Sequence, residues 1–288
     1  MKKIDLHIHT KASDGTDCWR TVLSLAESAN LSHISITDHN NVDAYLEMQK
    51  SPNEVARLFS GKIITGIEPE VFYRGRIIEV LGYGIDINKM DKSLRGVYMN
   101  HRDMIGKLFD GVFPILKNAG LKFSDNVLET FDFDGYYYPT YHFHADFTKY
   151  PENKKIITDK ESWENPVTFF RTWISNPKSS LYFDESPYFP SAETVIKLIK
   201  DAGGKVFVPH VFLYGEDSVD ILENLVKDFE IDGVECYYPM FTKEQTDFCL
   251  RFCAQHNLLV SAGSDYHGYT RPNKIGTGVG ADEISWLD

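Results

Sequence analysis

Cysteine is scarce in this chain of 288 residues, which contains Cys18, Cys236, Cys249 and Cys253. No two of them form a C-x-x-C pair, so a disulfide framework is disfavoured and reduced thiols are expected. None is followed six residues later by arginine, which excludes the usual motif of cysteine phosphatases. Cys249 and Cys253 lie four residues apart on a predicted helix, where packing is a commoner role for such a pair than zinc binding.

Long apolar runs and an excess of positive charge are also absent. No run reaches the length of a signal peptide or a membrane span, so we expect a cytoplasmic protein that does not contact membranes. The 30 Lys and Arg residues are outnumbered by 42 Asp and Glu residues, which gives a net charge of -12. That balance disfavours a broad electrostatic grip on nucleic acid or on anionic lipid. The hydrophobic share of 42% and the charged share of 25% are ordinary for a globular protein.

The first predicted strand, residues 4–9, carries two histidines one residue apart. Side chains in a strand alternate between its two faces, so His7 and His9 point to one side while Leu6 and Ile8 point to the other. Such a pair either shares a strand face by chance or begins a metal site. The rest of the chain has to decide between these two interpretations.

Helical and extended patterns alternate in the first and last parts of the chain, which is typical of an α/β fold. Helices are predicted over 17–30, 42–60, 191–202, 217–229 and 242–256, and further strands over 32–37, 62–67, 76–83, 205–208, 233–237 and 258–262. The length suits a single (β/α) barrel, or a smaller core with a large insertion.

The middle of the chain breaks this alternation. A long amphipathic helix is predicted over 91–118, with a kink in its last turn or a break near Val112 because Pro114 lies inside it. The region 120–190 is rich in Tyr, Phe, Asp and Pro, including the run from Gly135 to Pro139, and we interpret it as an insertion. The predicted limits are 1–90 for the first part of the barrel, 91–190 for the insertion subdomain and 191–288 for the second part.

Polar side chains recur where the predicted strands end. They are His7, His9, Asp38, His39, Glu68, Glu79, His210, Glu235, Asp265 and His267. In (β/α) barrels these strand ends meet on one face, where functional sites are built. A mixture of imidazoles and carboxylates suits Mn²⁺, Fe²⁺ or Zn²⁺, whereas Mg²⁺ prefers oxygen ligands. We therefore expect two or three divalent transition-metal ions, with a shared water whose pKa is lowered towards neutrality.

Five segments, in order along the chain, resemble the PHP (polymerase and histidinol phosphatase) superfamily. They are Asp5-Leu6-His7-Ile8-His9-Thr10 with Ser13-Asp14-Gly15, Ile36-Thr37-Asp38-His39-Asn40, Gly66-Ile67-Glu68, Val208-Pro209-His210 and Ala262-Gly263-Ser264-Asp265-Tyr266-His267-Gly268. The resemblance covers residues 1–84 and 191–280. It implies a distorted seven-stranded (β/α) barrel of the TIM-like type, with a trinuclear metal site that hydrolyses phosphate esters.

The resemblance also implies a role for each matching residue. The first ion would be held by His7, His9, Glu68 and Asp265, and the second by Asp14, His39 and His267. Glu68 would bridge to a third ion together with His210 and one further ligand, usually a histidine. This chain offers Glu79 at that position, which is a departure from the pattern. Asp265 and His210 are the candidate catalytic residues; either His210 or a metal-bound water would protonate the leaving group.

The insertion makes the expected substrate more specific. Its position resembles that of the small helical domain in PHP phosphoesterases that act on nucleoside monophosphates, 3',5'-bisphosphates or RNA 5' ends. A small phosphorylated substrate, most plainly a nucleotide, or a short RNA is therefore implied, and no partner protein is evident. A histidinol-phosphate-type phosphatase, a processive exonuclease and a non-catalytic, metal-stabilised regulatory domain remain as alternatives.

Several basic residues are candidate contacts for phosphate. Lys11, Lys274 and Arg271 lie beside the metal motifs, and Arg102 lies on the long predicted helix. Exposure on the surface is the commoner role for such residues.

Two further features concern histidine. In Tyr141-His142-Phe143-His144 a second H-x-H is found, which we interpret as packing in preference to a second metal pair. Glu235 is predicted to accept the other N–H of a metal-binding imidazole.

Overall fold

The computed structural model describes residues 3–133 and 138–287, and it has an α/β fold. Gly135 to Tyr137, part of the region predicted to be an insertion, lie outside the described residues. The strands are β1 (Lys3–Ile8), β2 (Leu31–Ile36), β3 (Lys62–Ile63), β4 (Gly66–Ile67), β5 (Glu70–Tyr73), β6 (Arg76–Glu79), β7 (Leu81–Tyr83), β8 (Lys205–Val208), β9 (Gly233–Tyr237) and β10 (Leu259–Ala262). The helices are α1 (Trp19–Ser28), α2 (Asp43–Gln49), α3 (Pro52–Leu58), α4 (Ile87–Leu94), α5 (His101–Asn118), α6 (Pro139–Phe147), α7 (Lys160–Glu164), α8 (Pro166–Phe169), α9 (Ala192–Asp201), α10 (Ser218–Asp228) and α11 (Lys243–His256).

Three hydrogen-bonded sheets form within these residues. The first has the order β1-β2-β3 and is parallel, the second has the order β10-β9-β8-β7-β4, and the third is the antiparallel pair β5-β6. Strands β8, β9 and β10 are parallel to one another, whereas β7 is antiparallel to both of its neighbours. The predicted α/β class is confirmed, but no sheet closes on itself in the part of the chain that is described.

Two of the predicted strands are wrong in extent because the chain changes its pairing partner inside them. Over 62–67, β3 pairs with β2, whereas β4 pairs with β7. Over 76–83, β6 pairs with β5, whereas β7 joins the five-stranded sheet. The alternation of apolar and polar residues cannot predict such a change, because it indicates which face of a strand is buried and not which strand it pairs with.

The helix predicted over 91–118 is also wrong in extent. It divides into α4 and α5, and the Asn100 side chain caps α5 by accepting hydrogen bonds from the backbone N–H groups of Arg102 and Asp103. Helix α5 then continues through Pro114 to Asn118, so the chain does not break near Val112. Buried side chains on both sides of Pro114 hold this segment in place and offset the missing hydrogen bond.

The apolar core has more than one centre. The largest cluster packs the helices of the first and last parts of the chain against β1, β2, β4, β8 and β9. A second cluster is built almost entirely from residues 104–189, and Ile77 of β6 and Phe72 of β5 connect it to the earlier strands. Aromatic rings such as Phe109, Phe143 and Phe147 dominate it. The region predicted to be an insertion thus has its own core, although its limits of 91–190 stay a prediction.

No helix among residues 3–133 and 138–287 is both long enough and apolar enough to cross a membrane.

Candidate metal centre

The first group of converging ligand atoms lies where β1 ends. His7 and His9 are fully buried, and their Nε2 atoms are 3.1 Å apart. Each Nε2 lies 3.0 Å from Glu68 Oε2. Asp265 Oδ1 is 3.5 Å from His7 Nε2 and 3.4 Å from His9 Nε2. Ligands at about 2.1 Å from a tetrahedral ion are separated by about 3.4 Å from one another. The spacing of these four atoms therefore suits one metal ion.

A second group lies beside the first and shares His9 with it. Its centre is Asp14 Oδ1, which is 3.1 Å from His267 Nε2, 3.5 Å from His9 Nδ1 and 3.8 Å from His39 Nε2. The structure thus brings together the seven residues that the family resemblance assigns to the first and second ions.

Three atoms of these groups are buried and have no hydrogen-bond partner within the described residues. They are Asp14 Oδ1, Glu68 Oε2 and His267 Nε2. Each lies close to an oppositely charged or imidazole neighbour, but without the geometry of a hydrogen bond. Buried polar atoms are costly when unsatisfied, and lone pairs directed at a common point are satisfied by a cation. Both groups therefore fit a divalent metal ion.

The electrostatics of the site keep its carboxylates ionised. Burial raises the pKa of Asp14, but the neighbouring His267 and His39 outweigh it and hold that pKa well below its ordinary value. Burial also opposes a charge on His9, yet the neighbouring carboxylates of Asp265 and Glu68 raise its pKa to about 9. His267 differs, because burial and the nearby His9 lower its pKa to about 4. Metal ions would therefore compete with protons for these sites.

Glu235, in the middle of β9, orients two of the candidate ligands. Its Oε1 accepts a hydrogen bond from His7 Nδ1 at 2.9 Å, and its Oε2 accepts one from the backbone N–H of His210 at 2.8 Å. Gly263 is needed beside it, since a Cβ there would lie 2.1 Å from His7 Cβ and 2.3 Å from Glu235 Oε1. This geometry agrees with the partner predicted for Glu235.

Two buried aspartates hold the loops that carry ligands, and the sequence reasoning missed this role for both. Asp38 accepts hydrogen bonds from the backbone N–H of Thr10 at 2.7 Å and from Ser13 Oγ at 2.6 Å, which fixes the loop that leads to Asp14. Asp5 accepts hydrogen bonds from the backbone N–H groups of Ser264 at 2.9 Å and Gly276 at 2.7 Å, on either side of Asp265 and His267. The sequence signal that could have identified this role is the position of Asp5 in the Asp-Leu-His motif and of Asp38 in the Asp-His motif.

Two residues of the centre have a left-handed backbone conformation. His210 has a φ of 20° and Asp265 a φ of 53°. Residues other than glycine rarely have a positive φ. Such strain tends to persist at functional sites, where the surrounding contacts enforce it.

Glu79 does not join either group. His210 Nε2 contacts Glu68 Oε1 at 2.9 Å, as the resemblance implies for a third ion. The carboxylate of Glu79, however, is bound by Arg171 Nη2 at 3.0 Å and by the hydroxyl of Tyr214. Burial raises the pKa of Glu79, but the charge of Arg171 outweighs it and leaves that pKa below its ordinary value. The residues present therefore do not fit a third metal ion.

A cavity of about 720 Å³ opens above both groups. Its lining includes polar residues of the two groups with Glu79 and His210, and also aromatic or apolar residues such as Tyr98, Met104 and Phe170. This volume lies within the usual range for small-molecule sites.

Three of the four predicted phosphate contacts lie elsewhere, because Lys11 and Lys274 are exposed outside this cavity and Arg102 borders a separate depression on α5. The fourth, Arg271, lies at the cavity wall. The arginines that line the cavity are Arg171 and Arg271. Arg171 belongs to a helical segment that the alternation of strands and helices gave no reason to select.

Arg271 connects the two candidate metal groups. Its Nη1 lies 2.7 Å from Asp265 Oδ2, and its Nη2 lies 3.4 Å from Asp14 Oδ2. The hydroxyl of Tyr238 also donates to Asp265 Oδ2, at 3.0 Å. Arg271 thus contacts carboxylates of both groups. Its place in the sequence beside the metal motifs did not predict these two contacts.

The second H-x-H and the cysteines lie outside the centre. His142 Nε2 contacts the carbonyl oxygen of Val127 at 2.7 Å, and His144 Nε2 contacts that of Ser162 at 2.8 Å. Both histidines are on α6, where residues two apart face different directions. The thiols of Cys249 and Cys253 are buried in the core with that of Cys236. Their environment agrees with packing.

Comparison with known proteins agrees with this geometry. A family model for the PHP domain matches residues 5–171. One curated relative is the phosphoribosyl 1,2-cyclic phosphate 1,2-diphosphodiesterase of Eggerthella lenta, 22% identical over 274 residues, with 92% of this chain and 94% of the relative covered. Another is a 5'-3' exoribonuclease of Haemophilus influenzae, 24% identical over 270 residues, with 92% of this chain and 90% of the relative covered.

A crystal structure from Bifidobacterium adolescentis supports the fold. That protein, provisionally named a metal-dependent phosphoesterase, matches with a TM-score of 0.62 at 23% identity, over 95% of this chain and 90% of its own. The family model spans more than half of the present chain, from the His-x-His strand to residue 171, and it includes five of the seven ligand residues. The chain therefore belongs to the PHP domain family of metal-dependent phosphoesterases.

Proposed function

We propose that this protein hydrolyses phosphate esters of nucleotides, either nucleoside monophosphates or 3',5'-bisphosphates, or the 5' ends of short RNA. The observation that carries the proposal is the pair of four-residue ligand groups at the base of a cavity of about 720 Å³. Imidazoles and carboxylates together favour Mn²⁺, Fe²⁺ or Zn²⁺ over Mg²⁺. Two such ions are proposed, one for each group.

The ions would be held by His7, His9, Glu68 and Asp265 in the first group and by Asp14, His39 and His267, with His9 between the groups, in the second. When bound, they would neutralise phosphate oxygens and lower the pKa of a water near phosphorus. The remaining tasks belong to the protein. Glu235 fixes the ring of His7, while Asp5 and Asp38 fix the loops that bear the other ligands.

His210 is the proposed donor of a proton to the leaving oxygen. Its Nε2 is engaged by Glu68, but its Nδ1 is buried and has no hydrogen-bond partner within the described residues. The side chain also lines the cavity. A group in that position can hold a proton within reach of a bound ester, as general acid catalysis requires.

The cavity walls support a substrate with an apolar or aromatic part as well as a phosphate. Tyr98, Tyr138, Tyr141 and Phe170 line the same cavity as the ligand groups. Flat rings of this kind stack readily on a nucleobase. The two curated relatives carry names that refer to phosphoribosyl or ribonucleic substrates, which supports a ribose phosphate here.

The three- and five-stranded sheets are proposed to be two halves of a distorted barrel. Ile8 forms a bridge with Tyr266 across one gap between them, and His39 forms a bridge with Glu68 across the other. The domain limits and the cytoplasmic location predicted from the sequence remain predictions.

The test combines metal content with phosphate release. The purified protein is stripped with a chelator, reloaded separately with Mn²⁺, Fe²⁺ or Zn²⁺, and supplied with nucleoside monophosphates, 3',5'-bisphosphates, 5'-phosphorylated oligoribonucleotides and histidinol phosphate. We expect phosphate or nucleotide release from the ribose phosphates only after reloading. Preference for histidinol phosphate would favour the alternative phosphatase, and tight metal binding without any hydrolysis would favour a regulatory domain.

A further inference from the structure

The side of the cavity next to His210 is built differently from the rest of the centre. Glu79 lies there at the end of β6, and its two carboxylate oxygens have separate partners. Oε1 contacts Arg171 Nη2 at 3.0 Å, and Oε2 accepts a hydrogen bond from the hydroxyl of Tyr214. That hydroxyl also lies 2.9 Å from the backbone nitrogen of Glu79, which donates to it. Glu79 is therefore held by its own neighbours, and both oxygens are in use.

The charges on this side do not leave room for a third divalent ion. Such an ion would need the negative charge of Glu79 beside that of Glu68, and Arg171 already neutralises Glu79. It would also have to sit next to a guanidinium that remains charged under all ordinary conditions. Like charges at short range in a partly buried site repel strongly.

Arg171 is well placed to supply positive charge itself. Its side chain is 13% exposed, and it lines the same cavity as Glu68, Glu79 and His210. The guanidinium carbon lies 5.1 Å from the centroid of the Tyr214 ring, within the range of a cation–π contact. Glu79 and Tyr214 thus fix the position and the plane of the charged guanidinium.

Donor groups of Arg171 remain available for a ligand. Within the described residues, Glu79 is its hydrogen-bond partner and uses Nη2. A guanidinium carries several N–H donors, and their planar arrangement matches phosphate oxygens. Arg271 differs, because its Nη1 and Nη2 both face carboxylates of the ligand groups. The segment Phe170–Ile174 that carries Arg171 is a turn of π-helix, a geometry often found at functional sites.

We propose that Arg171, held by Glu79 and Tyr214, takes the place of a third cation and binds a phosphate oxygen of the substrate. The protein is then a two-ion enzyme, with a fixed positive charge on the His210 side of the cavity. This inference rests on the proposed function and adds to it the residue that binds phosphate.

The experiment compares the wild-type protein with Arg171→Gln, Arg171→Lys and the control Arg76→Gln. Arg76 is a suitable control because it is 8% exposed, forms an ion pair with Asp217 at 2.9 Å and lies on the same strand as Glu79, outside the cavity. Each protein is loaded with Mn²⁺ or Zn²⁺ and desalted. The measurements are bound metal per chain, the affinity for inorganic phosphate by calorimetry, and kcat and KM on the best ribose phosphate.

We expect two ions per chain in all four proteins. Arg171→Gln should lower phosphate affinity and kcat/KM by roughly 10- to 100-fold, the effect of losing a hydrogen bond to a charged group. Arg171→Lys should recover part of the loss, because it keeps the charge without the planar arrangement of donors. Arg76→Gln should bind phosphate like the wild type. Circular dichroism melts establish folding, and if Arg171→Gln does not fold, the lysine variant decides by the same criterion of weakened phosphate affinity.

Three ions per chain in the wild-type protein would overturn the inference, and so would normal phosphate affinity in a folded Arg171 variant. The proposed function fails separately. A wild-type protein that holds two ions and binds phosphate through Arg171, yet hydrolyses no ester, would contradict the enzyme activity and leave the role of Arg171 in place.

Discussion

Glu235→Gln is the most informative single change at this centre, because it preserves shape and removes one charge. The carboxylate accepts two buried hydrogen bonds, from His7 Nδ1 at 2.9 Å and from the backbone N–H of His210 at 2.8 Å. A glutamine has a single carbonyl oxygen, so it can accept only one of them in this geometry, and its NH₂ group faces the other donor. Either the ring of His7 loses its orientation or the strained turn at His210 loses its support.

The size of the effect follows from the bond that is lost. A hydrogen bond to a charged group contributes about 1.5–3 kcal/mol, and about 1.4 kcal/mol corresponds to a factor of ten. We therefore expect the affinity of the first ion to fall by roughly 10- to 100-fold, in line with other carboxylates that orient a metal-binding histidine. His7 belongs to the first group alone, so the affinity of the second ion should change far less.

The assay is a competition titration of the metal-free protein against a chromogenic chelator, which separates a weak site from a strong one. Glu223→Gln serves as the control, because Glu223 is exposed on α10 and undergoes the same chemical change. A Glu235→Gln protein that is folded and binds both ions as tightly as the wild type would refute the reasoning. An equal loss in the Glu223 variant would show that the effect is not specific to the centre.

Three other predictions follow from the structure. Asp265→Asn should abolish hydrolysis and reduce bound metal, because Asp265 belongs to the first group; full activity at normal metal content would contradict this. Gly263→Ala should lower the melting temperature and metal affinity, since its Cβ would lie 2.1 Å from that of His7, and a wild-type melting curve would count against it. Burial raises the pKa of Glu185 from 4.5 to about 8. The unfolded chain therefore loses this proton first as the pH rises, and the free energy of unfolding should fall by up to about 1.4 kcal/mol per pH unit across that window. Urea titrations between about pH 5 and pH 8 should show that Glu185→Gln removes this slope, and an unchanged slope would disprove the assignment.

Much of the fold could be predicted from the sequence, because it depends on local patterns. Strand β9 and helix α9 begin and end within a residue of the predicted limits, where apolar periodicity is bounded by turn or capping residues. The errors occur at 62–67 and 76–83, where the chain changes its pairing partner, and at Asn100, where a cap divides one predicted helix into two. The helix predicted over 42–60 is likewise two helices, because α2 ends at Gln49 and α3 begins at Pro52. Pairing partners depend on residues distant in the chain, so local periodicity carries little information about them.

Six of the seven ligand residues could be selected from the sequence, because they lie at predicted strand ends and chemistry restricts which side chains bind transition metals. Asp14 was implied only by the resemblance to the PHP superfamily. The sequence alone thus determined the α/β class, the chemistry of the centre and the seven residues that converge there. Only the tertiary structure decided which charges meet. It placed Arg171 against Glu79, 92 positions away in the chain, and Arg271 against Asp14, 257 positions away. Electrostatic pairing depends on distance in space, and two residues so far apart in the chain become neighbours only after the whole fold has formed.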